Sequence, residues 1–258
     1  MNNKINQAFE KQRKMKLMTH VVAGYPTLKK SEEIILCMAQ NGVDMIEIQI
    51  PFSDPLADGP TIMKANQIAL ENKITPDDCF ELVNRIKERV DIPILFMTYA
   101  NIPFRMGMQE FIVRSYQAGV SGLIIPDIPF DEDIGDYYKV AKENDIHAIY
   151  VISPDISESR LKSICNDAEG FIYTTLKTGI TGAGNQIEKK GLDFINFVQL
   201  KSSIPIAAGF GISSTEHLDM LRGKADMAII GSHMINLYNS DGINGIASFL
   251  KKTISFLE

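Results

Sequence analysis

Val43-Asp-Met-Ile-Glu47-Ile-Gln-Ile50-Pro51-Phe-Ser-Asp54-Pro-Leu-Ala-Asp58-Gly-Pro-Thr61 is the stretch from which the fold can be read. Its first half has the pattern of a strand. Period-2 alternation sets Met45, Glu47 and Gln49 on one face and Ile46, Ile48 and Ile50 on the other. Its second half is a loop rich in Asp and Pro, with Asp58-Gly59-Pro60 as a turn signal, and an amphipathic helical pattern follows. An all-isoleucine face packs against helices, so the opposite face, with Glu47, points inward. A carboxylate inside a strand is costly unless it is paired or used.

The same strand-loop-helix unit recurs on both sides of this stretch. Short runs rich in β-branched residues lie at 18–23, 43–50, 92–98, 121–125, 147–152, 170–175, 204–208 and 226–230. Helical patterns lie between and after them at 31–41, 62–89, 108–118, 131–144, 157–166, 188–201, 214–222 and 240–256, and 2–14 reads as an extra leading helix. Ser31 with Glu33, and Ser213-Ser214 with Glu216, have the look of helix starts, as does Thr75-Pro76. Gly42, Gly119 and Gly170 stand where C-cap glycines belong. Strict alternation of strand and helix implies a parallel sheet. Eight units within 258 residues, with a last strand as apolar as the middle ones, favour a closed (β/α)8 TIM barrel over an open sheet with edges. No linker divides the chain, so 1–258 reads as a single α/β barrel domain with an extra N-terminal helix.

Composition narrows the function. The net charge is −6, which lacks the basic footprint of a nucleic-acid binder. No apolar run is long enough for a membrane span, and Met1–Lys16 lacks the apolar core of a signal peptide, so a cytoplasmic location is expected. Cys37, Cys79 and Cys165 are widely spaced and odd in number, as expected of free, packed thiols. His20, His147, His217 and His233 are not spaced as metal ligands.

In such a barrel the C-terminal ends of the strands face the active site. Strand 2 brings Glu47 there and leads to Asp58. Strand 3 leads to Tyr99, and strand 6 ends near Tyr173 and opens the loop Lys177-Thr-Gly-Ile-Thr181-Gly182-Ala-Gly184. Strand 7 ends in Ala208-Gly-Phe210-Gly211 and strand 8 in Gly231-Ser232. Glu47 at this place reads as a catalytic acid or as a buried acid satisfied by a neighbour. Asp58 alone reads as a turn residue. Tyr99 and Tyr173 line a pocket or pack the rim. Three glycine loops after consecutive strands, followed by helix N-termini, favour phosphate binding over mere tight turns. His233–Tyr238 reads as the short extra helix that barrels use for that purpose.

The run Pro51-Phe-Ser-Asp54-Pro-Leu-Ala-Asp58-Gly-Pro-Thr-Ile62 closely resembles the signature of the tryptophan synthase alpha subunit family. The likeness continues in order through Met97–Asn101, Ile125–Pro129, Gly170–Tyr173, Thr178–Ala183, Gly209–Ser213 and Gly231-Ser232. It implies cleavage of indole-3-glycerol phosphate to indole and D-glyceraldehyde 3-phosphate, with no metal or organic cofactor in this chain. It also implies a beta-subunit partner, in an alpha2-beta2 heterotetramer, that carries pyridoxal phosphate. By the same likeness Glu47 is the general acid/base, Asp58 holds the indole N–H, and Tyr173 assists near Glu47. Tyr99, Thr181, Gly182, Phe210, Gly211, Gly231 and Ser232 would bind substrate, the glycines and Ser232 through the phosphate. Pro51, Asp54 and Asn101–Phe104 resemble the surface that meets the partner.

The chain departs from the family pattern at a few positions. Gln49 replaces the usual glycine, where it is expected to narrow the indole pocket or hydrogen-bond Glu47. His20 stands in place of an apolar wall, Lys177 in place of arginine, and Thr174-Thr175 in place of a more apolar pair. Two alternatives stand beside the lyase: another phosphosugar barrel enzyme, and a catalytically weak regulatory subunit that activates a beta partner.

Overall fold

A computed structural model of the chain describes residues 3–11, 13, 15–132, 134–176, 189–209 and 211–258. In order, the elements are α1 (Lys4–Glu10), β1 (Lys16–Val22), α2 (Leu28–Gln40), β2 (Met45–Gln49), α3 (Pro60–Glu71), α4 (Pro76–Ile86), β3 (Ile94–Met97), α5 (Asn101–Met106), α6 (Met108–Ala118) and β4 (Gly122–Ile124). The second half comprises α7 (Tyr137–Glu143), β5 (His147–Ile152), α8 (Glu158–Asp167), β6 (Ile172–Thr175), α9 (Lys189–Gln199), β7 (Ile206–Gly209), α10 (Thr215–Leu221), β8 (Met227–Ile230) and α11 (Ser232–Leu257).

The eight strands are parallel and form a closed barrel in sequence order, with β8 returning to β1 through the pairs Lys16↔Met227 to Thr19↔Ile230. This is the expected (β/α)8 barrel, and closure leaves its sheet without an edge. The alternation in β2 is realised: Ile46, Ile48 and Ile50 join the apolar layer between strands and helices. Met45 lies in a separate inner cluster with Met18, Leu95, Ile149, Ala207 and Met227. Fully burying side chains of this size contributes about 1.5–3 kcal/mol each.

The leading helix closes the barrel floor. Ile5 is fully buried, and Asn3 donates from Nδ2 to the carbonyls of Ser121 and Asp145 at 2.9 and 2.6 Å. Both carbonyls lie just before the strand starts of β4 and β5. α1 is shorter than the 2–14 pattern, ending at Glu10.

Several helix boundaries differ from the sequence pattern, each for a local reason. The 62–89 pattern is two helices, because Thr75 and Asp78 form a reciprocal capping box with Pro76 in the first turn of α4. α2 starts at Leu28, capped by Thr27. Ser31 is inside that helix, and its hydroxyl accepts from the Gly24 N–H at 2.8 Å. The 131–144 pattern becomes helical at Tyr137, after Gly135 and Asp136 take positive φ of 65° and 57°. α5 is an additional short helix, and α11 starts at Ser232, absorbing the expected 233–238 segment before a non-helical Gly242. Ser214 caps α10 as expected, and Gly42 and Gly119 take the positive φ of C-caps.

Candidate active site

A cavity of about 250 Å³ opens at the C-terminal ends of the strands. Glu47 and Asp58 both line it, and both are only 4% exposed. Glu47 arrives by strand register. Asp58 arrives by the β2–α3 loop, which folds back over the barrel mouth, where the Asp58 N–H donates to the Pro55 carbonyl at 3.0 Å.

The two acids have different partners. On β1, His20 is the lateral neighbour of Glu47 in the parallel ladder. Its Nδ1 lies 3.1 Å from Glu47 Oε1. Glu47 Oε2 and His20 Nε2 are buried with no hydrogen-bond partner among the described residues. Burial disfavours the imidazolium, yet the Glu47 charge and hydrogen bond outweigh it, so the His20 pKa is raised above its ordinary value. Asp58 Oδ2 instead accepts two neutral donors, Gln49 Nε2 at 2.7 Å and Tyr99 Oη at 3.1 Å. Burial raises the Asp58 pKa, and these hydrogen bonds and the His20 charge counter only part of it.

Gln49 therefore bonds Asp58 and not Glu47, and it does not narrow the cavity: it is fully buried and absent from the lining. Gln49 and Glu47 are on the same strand face, but Gln49 is nearer the loop that carries Asp58. Tyr99 also stands behind Asp58 and not in the cavity wall. Its hydroxyl accepts from the Ala57 N–H at 3.1 Å, and its ring stacks on Phe52 at 5.3 Å. It thus holds the loop that carries Asp58.

Tyr173 lines the cavity. Burial and then the charges of Glu47 and Asp58 raise its pKa well above the ordinary range, so the phenol is neutral. A Cβ on Gly209 would lie 2.5 Å from the Tyr173 hydroxyl, so glycine is what admits this ring. Gly211, Gly231 and Ser232 line the far part of the same cavity. Gly211 has φ +88°, and Gly231 is the N-cap and Ser232 the first residue of α11, whose first N–H groups lack the i−4 partner of a helix interior. Thr181, Gly182, Phe210 and Lys177 lie outside the described residues. Asp127, at the end of strand 4, caps α5 by accepting from the Ala100 N–H at 2.9 Å.

The alternation of β1, like that of β2, sets which of its side chains face inward. Met18 is in the inner cluster, whereas Leu17 and Val21 are in the outer one, so His20 faces inward beside Glu47. Among the described residues, no group of three or more His, Cys, Asp or Glu is placed to hold a metal ion. Cys37, Cys79 and Cys165 are free and buried, away from the cavity.

Residues 6–255 match the family described as tryptophan synthase alpha chain. The protein belongs to this family. Alpha chains of Petrotoga mobilis and Syntrophotalea carbinolica are 40% and 38% identical, over 97% and 93% of this chain and 96% and 94% of theirs. A chain of Mycobacterium tuberculosis tryptophan synthase superposes with a TM-score of 0.92 at 26% identity, covering 99% of this chain and 98% of that one. The tryptophan synthase alpha-subunit of Pyrococcus furiosus, in a mutant form, superposes with a TM-score of 0.83 at 28% identity, over 94% and 97% of the two chains. The tryptophan synthase alpha chain family places this protein among the lyases of tryptophan biosynthesis. Among the described residues, no helix is long and apolar enough to cross a membrane.

Proposed function

We propose that the protein cleaves indole-3-glycerol phosphate by a retro-aldol reaction, releasing indole and D-glyceraldehyde 3-phosphate. The observation that carries this reading is the pair of buried carboxylates on one cavity, each with a different set of partners. Indole leaves poorly while it is aromatic. Protonation of its C3 gives an indolenine that accepts electrons, and loss of the glycerol hydroxyl proton then splits the carbon–carbon bond. Glu47 serves as the general acid/base for both transfers. Asp58 holds the indole N–H and balances the positive charge that develops on the ring. Charge stabilisation of this kind in a water-poor site contributes about 2.7–4 kcal/mol.

Gly211, Gly231 and Ser232 bind the phosphate, where backbone N–H groups and the dipole of α11 favour an anion. Neutral Tyr173 packs beside the acids and helps to position the substrate. The reaction as written needs no metal or organic cofactor in this chain. The product indole is consumed by a beta subunit that carries pyridoxal phosphate, in an alpha2-beta2 assembly in the cytoplasm. Leu56 and Phe104, apolar and 82% and 72% exposed, belong to the loop and helix proposed to meet that partner.

Indole release from indole-3-glycerol phosphate, by the purified chain alone and with a beta subunit, tests this. Slow release that rises strongly with the partner is expected. A folded chain that releases none in either condition overturns it. One observation favours a second reading, a regulatory subunit of low activity: Gln49 and His20 engage one oxygen of each acid. In that case Glu47→Gln leaves activation of the beta partner unchanged.

A further inference from the structure

The proposed reaction has no role for His20, yet this residue hydrogen-bonds Glu47. The two are register partners on adjacent strands, each 4% exposed, with Nδ1 3.1 Å from Oε1. A buried carboxylate next to an apolar wall is uncompensated whenever it is ionised. Here the wall itself carries a cation-forming ring. The remaining oxygen, Oε2, is buried with no hydrogen-bond partner among the described residues and belongs to a residue of the cavity lining.

We propose that His20 is the positioning and charge-compensating partner of Glu47, fixing Oε1 through Nδ1–H and reserving Oε2 for proton exchange with the substrate. This rests on the lyase reading above. In the cycle, Oε2 carries one proton between the substrate hydroxyl and indole C3, and the Glu47 carboxylate faces the His20 imidazolium before and after the transfer. The electron pair of the breaking carbon–carbon bond returns to the indole ring, and the hydroxyl carbon becomes the aldehyde. Glu47 ends in the state in which it began, and His20 keeps its proton throughout. The imidazolium stabilises the negative charge that appears when C3 is protonated, which is the kind of differential stabilisation that speeds a step.

The surroundings of His20 suit that role. Among the described residues, Glu47 from β2 and Asp58 from the loop beyond it are the charges that act on the ring, and both favour its protonated form. Gln49 adds to the same effect. Gly231, before the start of α11, lies against the His20 side chain, and Ile62 of α3 and Ile229 of β8 share the cavity lining with it; none of these titrates. Tyr173 across the cavity is neutral.

Two measurements test the proposal, one without substrate. In an NMR titration of the imidazoles, with His20 assigned by its absence in His20→Phe, His20 is expected to titrate above the ordinary 6.5 and to fall by about one unit or more in Glu47→Gln. A His20 that titrates the same with and without the carboxylate overturns the pairing. In the indole-release assay, wild-type activity should decline as pH rises through the His20 pKa. His20→Phe should lose about tenfold or more in kcat together with that alkaline limb. His20→Asn, whose amide can still donate to Oε1 but cannot titrate, should recover part of kcat and none of the limb. A His20→Phe enzyme with kcat and pH profile within twofold of wild type overturns the proposal. So does His20→Asn with the full rate and the limb retained. If wild type itself releases no indole, the lyase reading fails and takes the catalytic role of His20 with it; the pairing is then decided by the titration alone.

Discussion

At the scale of single residues, the two acids are distinguished by their partners more than by their burial. Glu47 faces a base that can hold a proton, whereas Asp58 faces an amide and a phenol. The first arrangement suits a group that gives up and regains a proton. The second suits a group that stays in place and accepts a hydrogen bond. Conservative removal of either charge should therefore stop chemistry without unfolding the chain. Glu47→Gln and Asp58→Asn are each expected to lose at least about 10²-fold in indole release, more than about 2.7 kcal/mol of barrier, with far-UV circular dichroism unchanged. Retention of more than about a tenth of activity in both variants, under about 1.4 kcal/mol, contradicts the assignment. Gln49 is the residue whose role changes most between sequence and structure: it supports Asp58 from behind.

At the scale of elements, the site depends on strand ends that approach more closely than most side chains permit. β6 and β7 are register partners through Tyr173↔Ala207 and Thr175↔Gly209. The Tyr173 ring crosses over Gly209, with Oη, Cε1 and Cζ at 2.5, 2.7 and 2.9 Å from where a Cβ would stand. A methyl group there cannot be met by rotating the hydroxyl alone, because ring carbons are also in the way. Gly209→Ala is expected to push Tyr173 out of position and lower indole release by about tenfold or more, a barrier change near 1.4 kcal/mol. Tyr173→Phe in the same background should fail to restore it, since the clash persists without the oxygen. Restoration in that double variant would show that only the hydroxyl was displaced.

At the scale of the molecule, the barrel has a working mouth and a sealed floor. His147, at the start of β5, contributes to the floor by tying it to α1, with Nε2 3.2 Å from Asn6 Oδ1. Burial lowers the His147 pKa, and the nearby Glu169 only partly opposes this. A histidine with a depressed folded pKa stabilises the fold above its unfolded value, near 6.5, and that contribution is lost as pH falls through the folded pKa. Wild-type stability to urea should therefore decrease on acidification below about pH 6.5, and His147→Asn should show a shallower decrease over the same window. An identical slope in the two proteins rules out His147 as a source of acid sensitivity.

How much of this was legible follows from which interactions are local. The apolar runs, the isoleucine face opposite Glu47 and the recurrence of strand and helix were enough for the barrel, because burial on both faces of a parallel strand makes it a near-continuous apolar run, in which the acid at Glu47 marks the inward face. The signature from Pro51 to Ile62 was enough for the family. Helix boundaries were read less well wherever the deciding bond was a cap or a positive φ, as at Thr75 and Asp136. The pairing of His20 with Glu47, the turn of Gln49 toward Asp58 and the place of Tyr99 behind that acid were decided by tertiary structure alone. Strand register and loop closure bring together groups far apart along the chain, and no local pattern encodes which of two nearby acids an amide will reach.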